Sequence, residues 1–313
     1  ASLIKYFSPR VPLTVAMETG FHSPWMSRSL KELGVEVIVA NARKVALIAK
    51  NNTKSDKVDA ELLARLARSD LKLLSPITHR SREHQVHLGV VRSRDTMVRS
   101  RTTLVNHIRS TVKSIGMRLP SKSAATFHLL IDALPAELQG ALAPLMNAIK
   151  AINEQIKAIE KEIARIADEH YPVTAQLREI HGVGPITALA FVLTVADPER
   201  FRRNRDVGPY LGMVPRRRQS GGSDPHLRIT KAGNRYMRQL LVIAAQHILG
   251  PFGKESDLRQ HGLALVGRGG KSAKKKAVVA VARRLAVLML ALWKSGDEYQ
   301  PIRKCETEQT LTA

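Results

Sequence analysis

Three carboxylates occupy positions, at the end of a predicted strand and at the start of a predicted helix, from which they could bind a metal ion. Glu18 follows an apolar run at residues 13–17 that predicts a buried strand, and active sites commonly lie at the carboxyl ends of such strands. Asp56 and Asp59 are three residues apart at the start of a predicted helix, so both project from one helix face. Clustered carboxylates repel unless a cation neutralises them, and their oxygens suit Mg²⁺ held with substrate phosphates. The spacing alone leaves two interpretations open: a Mg²⁺ site at these three residues, or an ordinary strand end and the acidic first turn of a helix.

A pair of glycines precedes a predicted helix in the second half of the chain. Gly182 and Gly184 flank an apolar residue within residues 180–188. Such a turn lets the backbone approach a phosphate, and the amides and dipole of the helix start hold that phosphate without reading base sequence. The pattern resembles a helix-hairpin-helix element that grips nucleic-acid backbone, but a Gly-x-Gly turn is weak evidence by itself.

A serine lies in a glycine-rich loop among guanidinium groups. Ser220 precedes two glycines and follows a run of three arginines at residues 216–218. Arginine binds the non-bridging oxygens of a phosphate bidentately and stabilises charge that develops during attack on a phosphodiester. The loop alone leaves two interpretations open: Ser220 as a nucleophile, or a flexible basic loop that only contacts phosphate. The candidate phosphate-binding residues of this stretch and beyond are Arg202, Arg203, Arg216, Arg217, Arg218, Lys231, Arg235, Lys274 and Lys275.

The overall charge favours a polyanionic partner. Lys and Arg number 50 against 27 Asp and Glu, a formal net charge of +23, and such an excess raises the rate of encounter with nucleic acid. A membrane surface would require a basic amphipathic segment with bulky aromatics, whereas aromatic residues make up only 4%. The glycine- and lysine-rich run at residues 267–276 fits a phosphate-contacting loop, because it lacks the four-residue glycine gap of a nucleotide-binding loop.

The sequence also favours a cytoplasmic protein without a membrane span. Its longest apolar segment, residues 278–293, contains Arg283 and Arg284 and is shorter than the about 20 apolar residues of a spanning helix. No secretory signal pattern opens the chain. The single cysteine, Cys305, can form neither an internal disulfide nor a cysteine metal cluster, which fits a reducing compartment.

The pattern of elements predicts an α/β region followed by helices. Apolar runs at residues 13–17 and 35–39 flank a helical pattern at residues 24–33, and this alternation favours a parallel strand pair with a crossover helix. A helix over residues 55–68, capped by its first residue, and a long basic helix over residues 80–113 follow. The fold class is therefore α/β plus α.

A heptad pattern occupies the middle of the chain. Its apolar residues, alternately four and three apart, are Leu138, Leu142, Leu145, Ile149, Ile152, Ile156, Ile159, Ile163 and Ile166. This seam predicts a dimerising coiled coil, with one arm of an intramolecular helical hairpin as the alternative. The predicted domains are residues 1–125 with the α/β fold and basic helices, 126–172 with the coiled coil, 173–295 as a second globular domain, and a disordered polar tail at 296–313.

These features occur together and in the order typical of the IS110 group of insertion-sequence transposases, which the chain resembles from about residue 10 to residue 295. The matching motifs are Met-Glu-Thr-Gly at 17–20, Lys-Ser-Asp-Lys-Val-Asp-Ala at 54–60, His-Gly-Val-Gly-Pro-Ile-Thr-Ala at 181–188, Tyr-Leu-Gly-Met-Val-Pro-Arg at 210–216 and Gln-Ser-Gly-Gly at 219–222. The resemblance implies an RuvC-like domain with four acidic residues, a coiled coil and a helical C-terminal domain with a catalytic serine. Glu18, Asp56 and Asp59 match the second, third and fourth acidic residues, and Ser220 matches the serine.

The resemblance also implies a mechanism and partners. Ser220 would attack the DNA backbone and form a transient phosphoserine link, and strand exchange and religation would follow without net hydrolysis. Mg²⁺ is the implied cofactor. DNA and a structured non-coding RNA from the same element are the implied partners, and the coiled coil would assemble dimers and then a tetramer.

One departure concerns the first of the four acidic residues. The family carries it on a strand ahead of Glu18, whereas residues 1–17 contain no Asp or Glu. The departure predicts an RuvC-like domain without its opening strand, weak metal binding and an inactive chain, from either a truncated element or an incomplete gene model.

Two rival classes remain open. An RuvC-like junction nuclease would use the same acids with water as the nucleophile and would not need Ser220. A non-catalytic nucleic-acid-binding protein would need neither set, and the missing acidic residue favours it. A tyrosine recombinase is disfavoured, because no Arg, His, Arg and late Tyr set occurs in the required order.

Overall fold

A computed structural model describes residues 2–42, 45, 55–225 and 227–302. Within these ranges the chain is mostly helical, with one small parallel sheet, and it forms two compact units, Ala1–Arg82 and Glu83–Ala313. None of the described helices combines the length and apolar character that a membrane crossing requires. Lys54 of the second motif, Cys305 and residues 303–313 of the predicted tail lie outside the described residues.

The first unit is built on a parallel strand pair. Strands β1 (Thr14–Glu18) and β2 (Glu36–Ala40) lie side by side, with Glu18 opposite Ala40. Helix α2 (Ser23–Glu32) joins them, which confirms the predicted parallel pair with a crossover helix. The other helices of this unit are α1 (Ser2–Phe7), α3 (Asp56–Ser69) and α4 (Leu71–Leu74), and a 3-10 turn at Ser8–Arg10 follows α1.

A small apolar cluster joins the sheet of this unit to its helices. Ala40, at the end of β2, packs with Leu66 of α3 and Leu74 of α4. Helix α3 begins as predicted, because the Ser55 hydroxyl accepts a hydrogen bond of 3.3 Å from the Val58 amide. Since α3 also contacts β1, the acidic first turn of α3 and the end of β1 belong to neighbouring elements.

Two long antiparallel helices open the second unit. Helix α5 (Arg82–Ser114) confirms the predicted basic helix, and α6 (Ala136–His170) follows it. Polar pairs join them: Arg94 of α5 contacts Glu160 of α6 at 2.6 Å, and Arg101 donates to Asn153 at 2.7 Å. A 3-10 helix at Phe127–Ala133 packs with both helices near the turn between them.

The heptad seam of α6 divides between two environments. Every seventh residue is buried, namely Leu142, Ile149, Ile156 and Ile163. Asn153 and Glu160 do not belong to the apolar seam, but both contact α5 beside these buried residues. Ile152 and Ile159 are only half-buried. Helix α6 therefore forms one arm of an intramolecular hairpin, and dimerisation through the remaining apolar residues stays a prediction.

The rest of the second unit surrounds one apolar helix. Helix α8 (Pro185–Val195) is buried at every residue from Thr187 to Val195, as expected of a helix that is apolar on all sides. The helices around it are α7 (Val173–Arg178), α9 (Val207–Tyr210), α10 (Arg235–Leu249), α11 (Asp257–Gly267) and α12 (Ala273–Ser295), with a 3-10 turn at Asn204–Asp206. This helical core supports the loops that carry the candidate site.

Candidate active site and nucleic-acid interface

Ser220 lies at the tip of a backbone hairpin between α9 and α10. Two glycines connect Ser220 to Ser223, and the backbones of these serines exchange hydrogen bonds of 3.2 and 3.1 Å. Gly221 has a φ of +56°, a left-handed conformation that glycine adopts without strain. Farther from the tip, the Arg216 amide donates to the Arg228 carbonyl at 3.0 Å. Ser220 is exposed, so a macromolecular substrate can reach its hydroxyl.

The base of the hairpin is fixed by two close backbone contacts. Gly212 has a φ of +69°, and a Cβ atom there would lie 2.1 Å from the Ala232 carbonyl oxygen. Gly233 has a φ of +74°, and a Cβ atom there would lie 2.2 Å from the Tyr210 carbonyl oxygen. Both positions require glycine, because any side chain would meet backbone atoms that cannot move aside. The two arms therefore leave the core from a fixed crossing.

Arg238 links the two arms to α10. Its Nη1 atom donates to the Leu211 carbonyl at 3.0 Å on one arm and to the Ala232 carbonyl at 2.5 Å on the other. Tyr210 adds a bond to the core, since its hydroxyl donates to the Thr194 carbonyl of α8 at 3.0 Å. Sequence reasoning missed Arg238, because no spacing in the sequence shows that this guanidinium serves backbone carbonyls instead of phosphate.

The three consecutive arginines, Arg216 to Arg218, lie along the first arm of the hairpin and are all exposed. Arg217 lies 3.9 Å from Asp224 across the hairpin. Arg216 and Arg218 make no ion pair with any other residue that the structure describes. Their positive charge is therefore open to an anionic ligand beside Ser220.

A basic groove lies at the base of the hairpin. Its volume is about 290 Å³, and Lys231, Arg235 and Arg238 contribute its cationic lining. Lys231 and Arg235 are exposed, and Lys231 has a φ of +55°, an uncommon conformation for a side chain of this kind. The structure thus brings together two predicted phosphate-binding residues and one that the sequence did not reveal.

The arginines before α9 are also exposed. Arg202 and Arg203 lie on the surface, and Arg203 is 3.5 Å from Asp206. The neighbouring Arg200 lies over the Tyr210 ring at 4.8 Å, a stacking contact that sequence reasoning did not predict. Arg202 therefore remains the more available of the two predicted residues.

The two glycines before α8 have different surroundings. Gly182 has a φ of +88°, and a Cβ atom there would lie 2.9 Å from the Ala244 carbonyl oxygen of α10. Its lack of a side chain therefore serves helix packing. Gly184 is exposed, caps α8 with extended geometry and has nothing near its Cα hydrogens. A phosphate contact at this turn would accordingly use Gly184.

Lys274 and Lys275 occupy the first turn of α12 and are exposed. Positive charge is unfavourable at the amino end of a helix, where the dipole is also positive. An anionic partner at this point would be attracted both by the lysine charges and by the positive end of the helix dipole. This placement agrees with the predicted phosphate-contacting role.

The predicted metal ligands lie in the first unit. Glu18 ends β1 and is exposed, while Asp56 and Asp59 lie in the first turn of α3, exposed and half-buried respectively. Within the described part of the chain, the group of three side chains close enough to share a metal ion is a different one, Glu83, His87 and His170. Sequence reasoning missed that group, because its members come from opposite ends of two long helices.

Two transposase families match this chain. The one described as Transposase IS116/IS110/IS902 family matches residues 174–258, which contain the Ser220 hairpin. The family of DEDD transposases of IS110 elements matches residues 2–117, which contain the three carboxylates.

Individual relatives extend the likeness over nearly the whole chain. A probable family 20 transposase of Pseudomonas aeruginosa is 28% identical over 308 residues, covering 96% of this chain and 90% of the relative. The transposase for insertion sequence element IS1111A of Coxiella burnetii is 28% identical over 302 residues, covering 94% and 80%. The transposase for insertion sequence element IS1328 of Yersinia enterocolitica is 30% identical over 248 residues, covering 78% and 73%.

The chain belongs to the IS110 family of transposases. As a member of this family it is a DNA-recombining enzyme, and DNA is its partner. The match to a DEDD transposase domain points to a divalent metal ion. The hairpin with Ser220, its basic groove and the three carboxylates all lie within the matched parts of this transposase.

Proposed function

We propose that this transposase cuts and rejoins DNA through a covalent phosphoserine at Ser220. One observation carries the proposal: the serine stands at an exposed tip while the base of its hairpin is fixed by Gly212, Gly233 and Arg238. A nucleophile that must meet a phosphodiester in line with the leaving oxygen benefits from such a fixed support.

The chemistry conserves phosphodiester bonds. The Ser220 hydroxyl oxygen attacks the scissile phosphorus, and the bond from phosphorus to the deoxyribose oxygen breaks as the new bond forms. The serine proton leaves with the released DNA hydroxyl. A DNA hydroxyl then attacks the phosphoserine, restores a phosphodiester and returns a proton to the serine, so no water is consumed. Arg216 and Arg218 would stabilise the charge on the non-bridging oxygens.

Mg²⁺ is the proposed cofactor, and Glu18, Asp56 and Asp59 would hold it. The donor set fits this ion, because carboxylate oxygens are hard ligands and the exposure of Glu18 and Asp56 leaves room for phosphate and water. When bound, Mg²⁺ supplies charge neutralisation at the scissile phosphate. The parallel strand pair with its crossover helix supports an RuvC-like character for this part of the chain.

We extend the proposal to an element-encoded structured RNA. The net charge of +23 exceeds what one short DNA contact requires, and exposed cations occur both beside the hairpin and on α12. Backbone contacts of this kind would hold an RNA while base pairing supplies the choice of DNA sequence. The proposed domains are the α/β domain at residues 1–125, the coiled coil at 126–172 and the second globular domain at 173–295. The protein would act in the cytoplasm.

Self-association is the remaining part of the proposal. Ile152 and Ile159 are half-buried and lie on a different face of α6 from the residues that contact α5. They therefore support a dimer, and two dimers would form a tetramer across two DNA duplexes. Sedimentation of an Ile152→Glu, Ile159→Glu double variant should give a smaller species than the wild type. An unchanged sedimentation coefficient would remove α6 from the interface.

The deciding experiment compares Ser220→Ala with Ser223→Ala, its partner across the same turn. Each protein is incubated with Mg²⁺, the element's flanking RNA, and donor and target DNA, and covalent protein–DNA adducts are measured on a denaturing gel. The chain is expressed as it stands and with its reading frame extended upstream, because residues 1–17 contain no acidic residue. Glu18→Gln with Asp59→Asn tests the metal ligands in both forms.

The expected result is that at least one of the two forms gives an adduct with its wild-type sequence and with Ser223→Ala, and that this adduct vanishes in Ser220→Ala. Cleavage without an adduct, retained in Ser220→Ala, would instead identify a nuclease that uses water. Binding without cleavage in every form would leave only DNA binding. An adduct that survives Glu18→Gln with Asp59→Asn would overturn the proposed Mg²⁺ ligands and spare the serine.

A further inference from the structure

The beginning of α5 and the end of α6 bring two imidazoles and a carboxylate together. Glu83 and His87 are four residues apart and so share one face of α5, while His170 is the last residue of α6. One ligand atom from each of the three lies within 4.8 Å of the others. His170 Nδ1 is 3.0 Å from Glu83 Oε1, and the His87 and His170 ring centroids are 4.8 Å apart.

We propose that Glu83, His87 and His170 form a binding site for a transition-metal dication, with Zn²⁺ as the best-suited ion. Two imidazole nitrogens and one carboxylate oxygen are a borderline-soft donor set that Zn²⁺ prefers and Mg²⁺ does not. With bonds of about 2.0–2.1 Å, neighbouring ligand atoms on a tetrahedral ion are about 3.3 Å apart. The contact between His170 and Glu83 already has nearly this separation, and the His87 ligand atom lies within 4.8 Å of both, so a bound ion would draw it closer to complete the set.

A tyrosine supports the orientation of one ligand. The His87 Nδ1 atom lies 2.9 Å from the Tyr171 hydroxyl oxygen, which leaves Nε2 as the coordinating atom. In a metal-bound form the Nδ1–H of His87 would donate this hydrogen bond to the tyrosine oxygen, which would fix the tautomer and the ring plane of the histidine.

The site is accessible, and a neighbouring cation on α6 is already neutralised. The side chains of Glu83 and His170 are 58% and 39% exposed, so an ion can enter from solvent. Arg165, one and a half turns before His170, pairs with both Glu162 and Glu169. Three protein ligands leave the fourth tetrahedral position open for water or for an external ligand.

This site differs from the one proposed for Mg²⁺ in ligands and in consequence. It uses none of the residues proposed for phosphoserine chemistry, and His170 lies outside both matched family spans. A bound ion would join the first turn of α5 to the last turn of α6. It would therefore stabilise the helical hairpin whether or not the transposase is acting on DNA.

The test is Zn²⁺ binding by the metal-free full chain in a Cys305→Ser background, which removes the single thiol of the sequence. A chromophoric competitor reports affinity in the presence of excess Mg²⁺, and Co²⁺ substitution reports coordination by its visible spectrum. His170→Ala and Glu83→Gln are the test variants, since both side chains are largely exposed and their loss should not prevent folding. His107→Ala is the matched control, being an exposed histidine elsewhere on α5.

One equivalent of Zn²⁺ should bind the wild type and His107→Ala alike, with a tetrahedral Co²⁺ spectrum and a raised melting temperature. His170→Ala and Glu83→Gln should each weaken binding by about tenfold or more and lose the thermal shift. Equal affinity in wild type and His170→Ala, or no binding by the folded wild type, would overturn the proposal.

Discussion

Ser220 and Glu18 both stand at exposed ends of paired backbone segments, but the structures behind them differ. The Ser220 hairpin arises between α9 and α10, which contribute to the large apolar cluster around α8. Glu18 ends a strand in a two-stranded sheet whose buried cluster, among the described residues, consists of Ala40, Val45, Leu66 and Leu74. Two strands alone are marginally stable and depend on the helices packed against them.

This difference separates two ways of building a reactive site. The position of the serine is set by the chain itself, through backbone crossings and a bridging guanidinium. The carboxylates of the first unit have a small core behind them, and their final arrangement would depend on the ion that they are proposed to bind.

Gly212→Ala should be the most damaging single change. The new Cβ atom would lie 2.1 Å from the Ala232 carbonyl oxygen at a φ of +69°, so the hairpin base would have to separate, at a cost of about 3–4 kcal/mol in the free energy of unfolding. Gly221→Ala is the control, because its φ is +56° but nothing lies within 4 Å of the added atom; it should cost about 1 kcal/mol. Urea denaturation measures both, and equal losses would mean that the base is not a rigid support.

Arg238→Ala should have the next largest effect. It leaves the Leu211 and Ala232 carbonyls without their shared donor, so unfolding should become easier by about 2–3 kcal/mol, and adduct formation should fall with it. Arg235→Ala, at an exposed site of the same groove, should change stability by less than about 0.5 kcal/mol and weaken DNA binding instead. If Arg238→Ala weakens DNA binding and leaves stability intact, this guanidinium serves phosphate after all.

The contacts of Gly212 and Arg238 could not be predicted from the sequence, for a physical reason. The parallel strands, the Ser55 cap and helix α5 follow from local signals, namely apolar runs, a capping side chain and helical periodicity. The hairpin base depends on Gly212 meeting Ala232, a contact between residues far apart in the chain. Periodicity also could not show that Asn153 would be buried against α5, because its polar type is typical of a surface.

Thr19→Val should test the weaker region with a moderate effect. The Thr19 hydroxyl donates to the Ala40 carbonyl at 3.2 Å and accepts from the Ala42 amide at 3.0 Å, joining the ends of the two strands. Its loss should cost about 1 kcal/mol, visible as faster hydrogen exchange of β1 and β2 amides. Exchange in α8 should not change. Thr14→Val, at the exposed opposite end of β1, should have a smaller effect, and a larger one would place the stabilising contact elsewhere.

Acidification acting through His79 of the first unit should have the smallest effect. Burial, and then the charges of Arg28, Arg80 and Lys31, lower the pKa of His79. The folded chain thus binds a proton less readily than the unfolded chain, whose histidine has an ordinary pKa of about 6.5, so stability is retained above that pH and falls as pH drops through it. Urea denaturation at about pH 7.5 and about pH 5.5 should show a pH slope that His79→Gln reduces. A slope of the opposite sign would contradict this assignment.

The polar pairs between α5 and α6 fix the register of these helices. The two ends of the hairpin are therefore held at a fixed separation. With 35 residues at about 1.5 Å each, α6 is about 52 Å long. That length equals about one and a half turns of duplex DNA. Sliding by one helical turn would separate Arg94 from Glu160 and Arg101 from the buried Asn153, so the register cannot shift. Groups held at its two ends would therefore meet opposite faces of a duplex lying alongside.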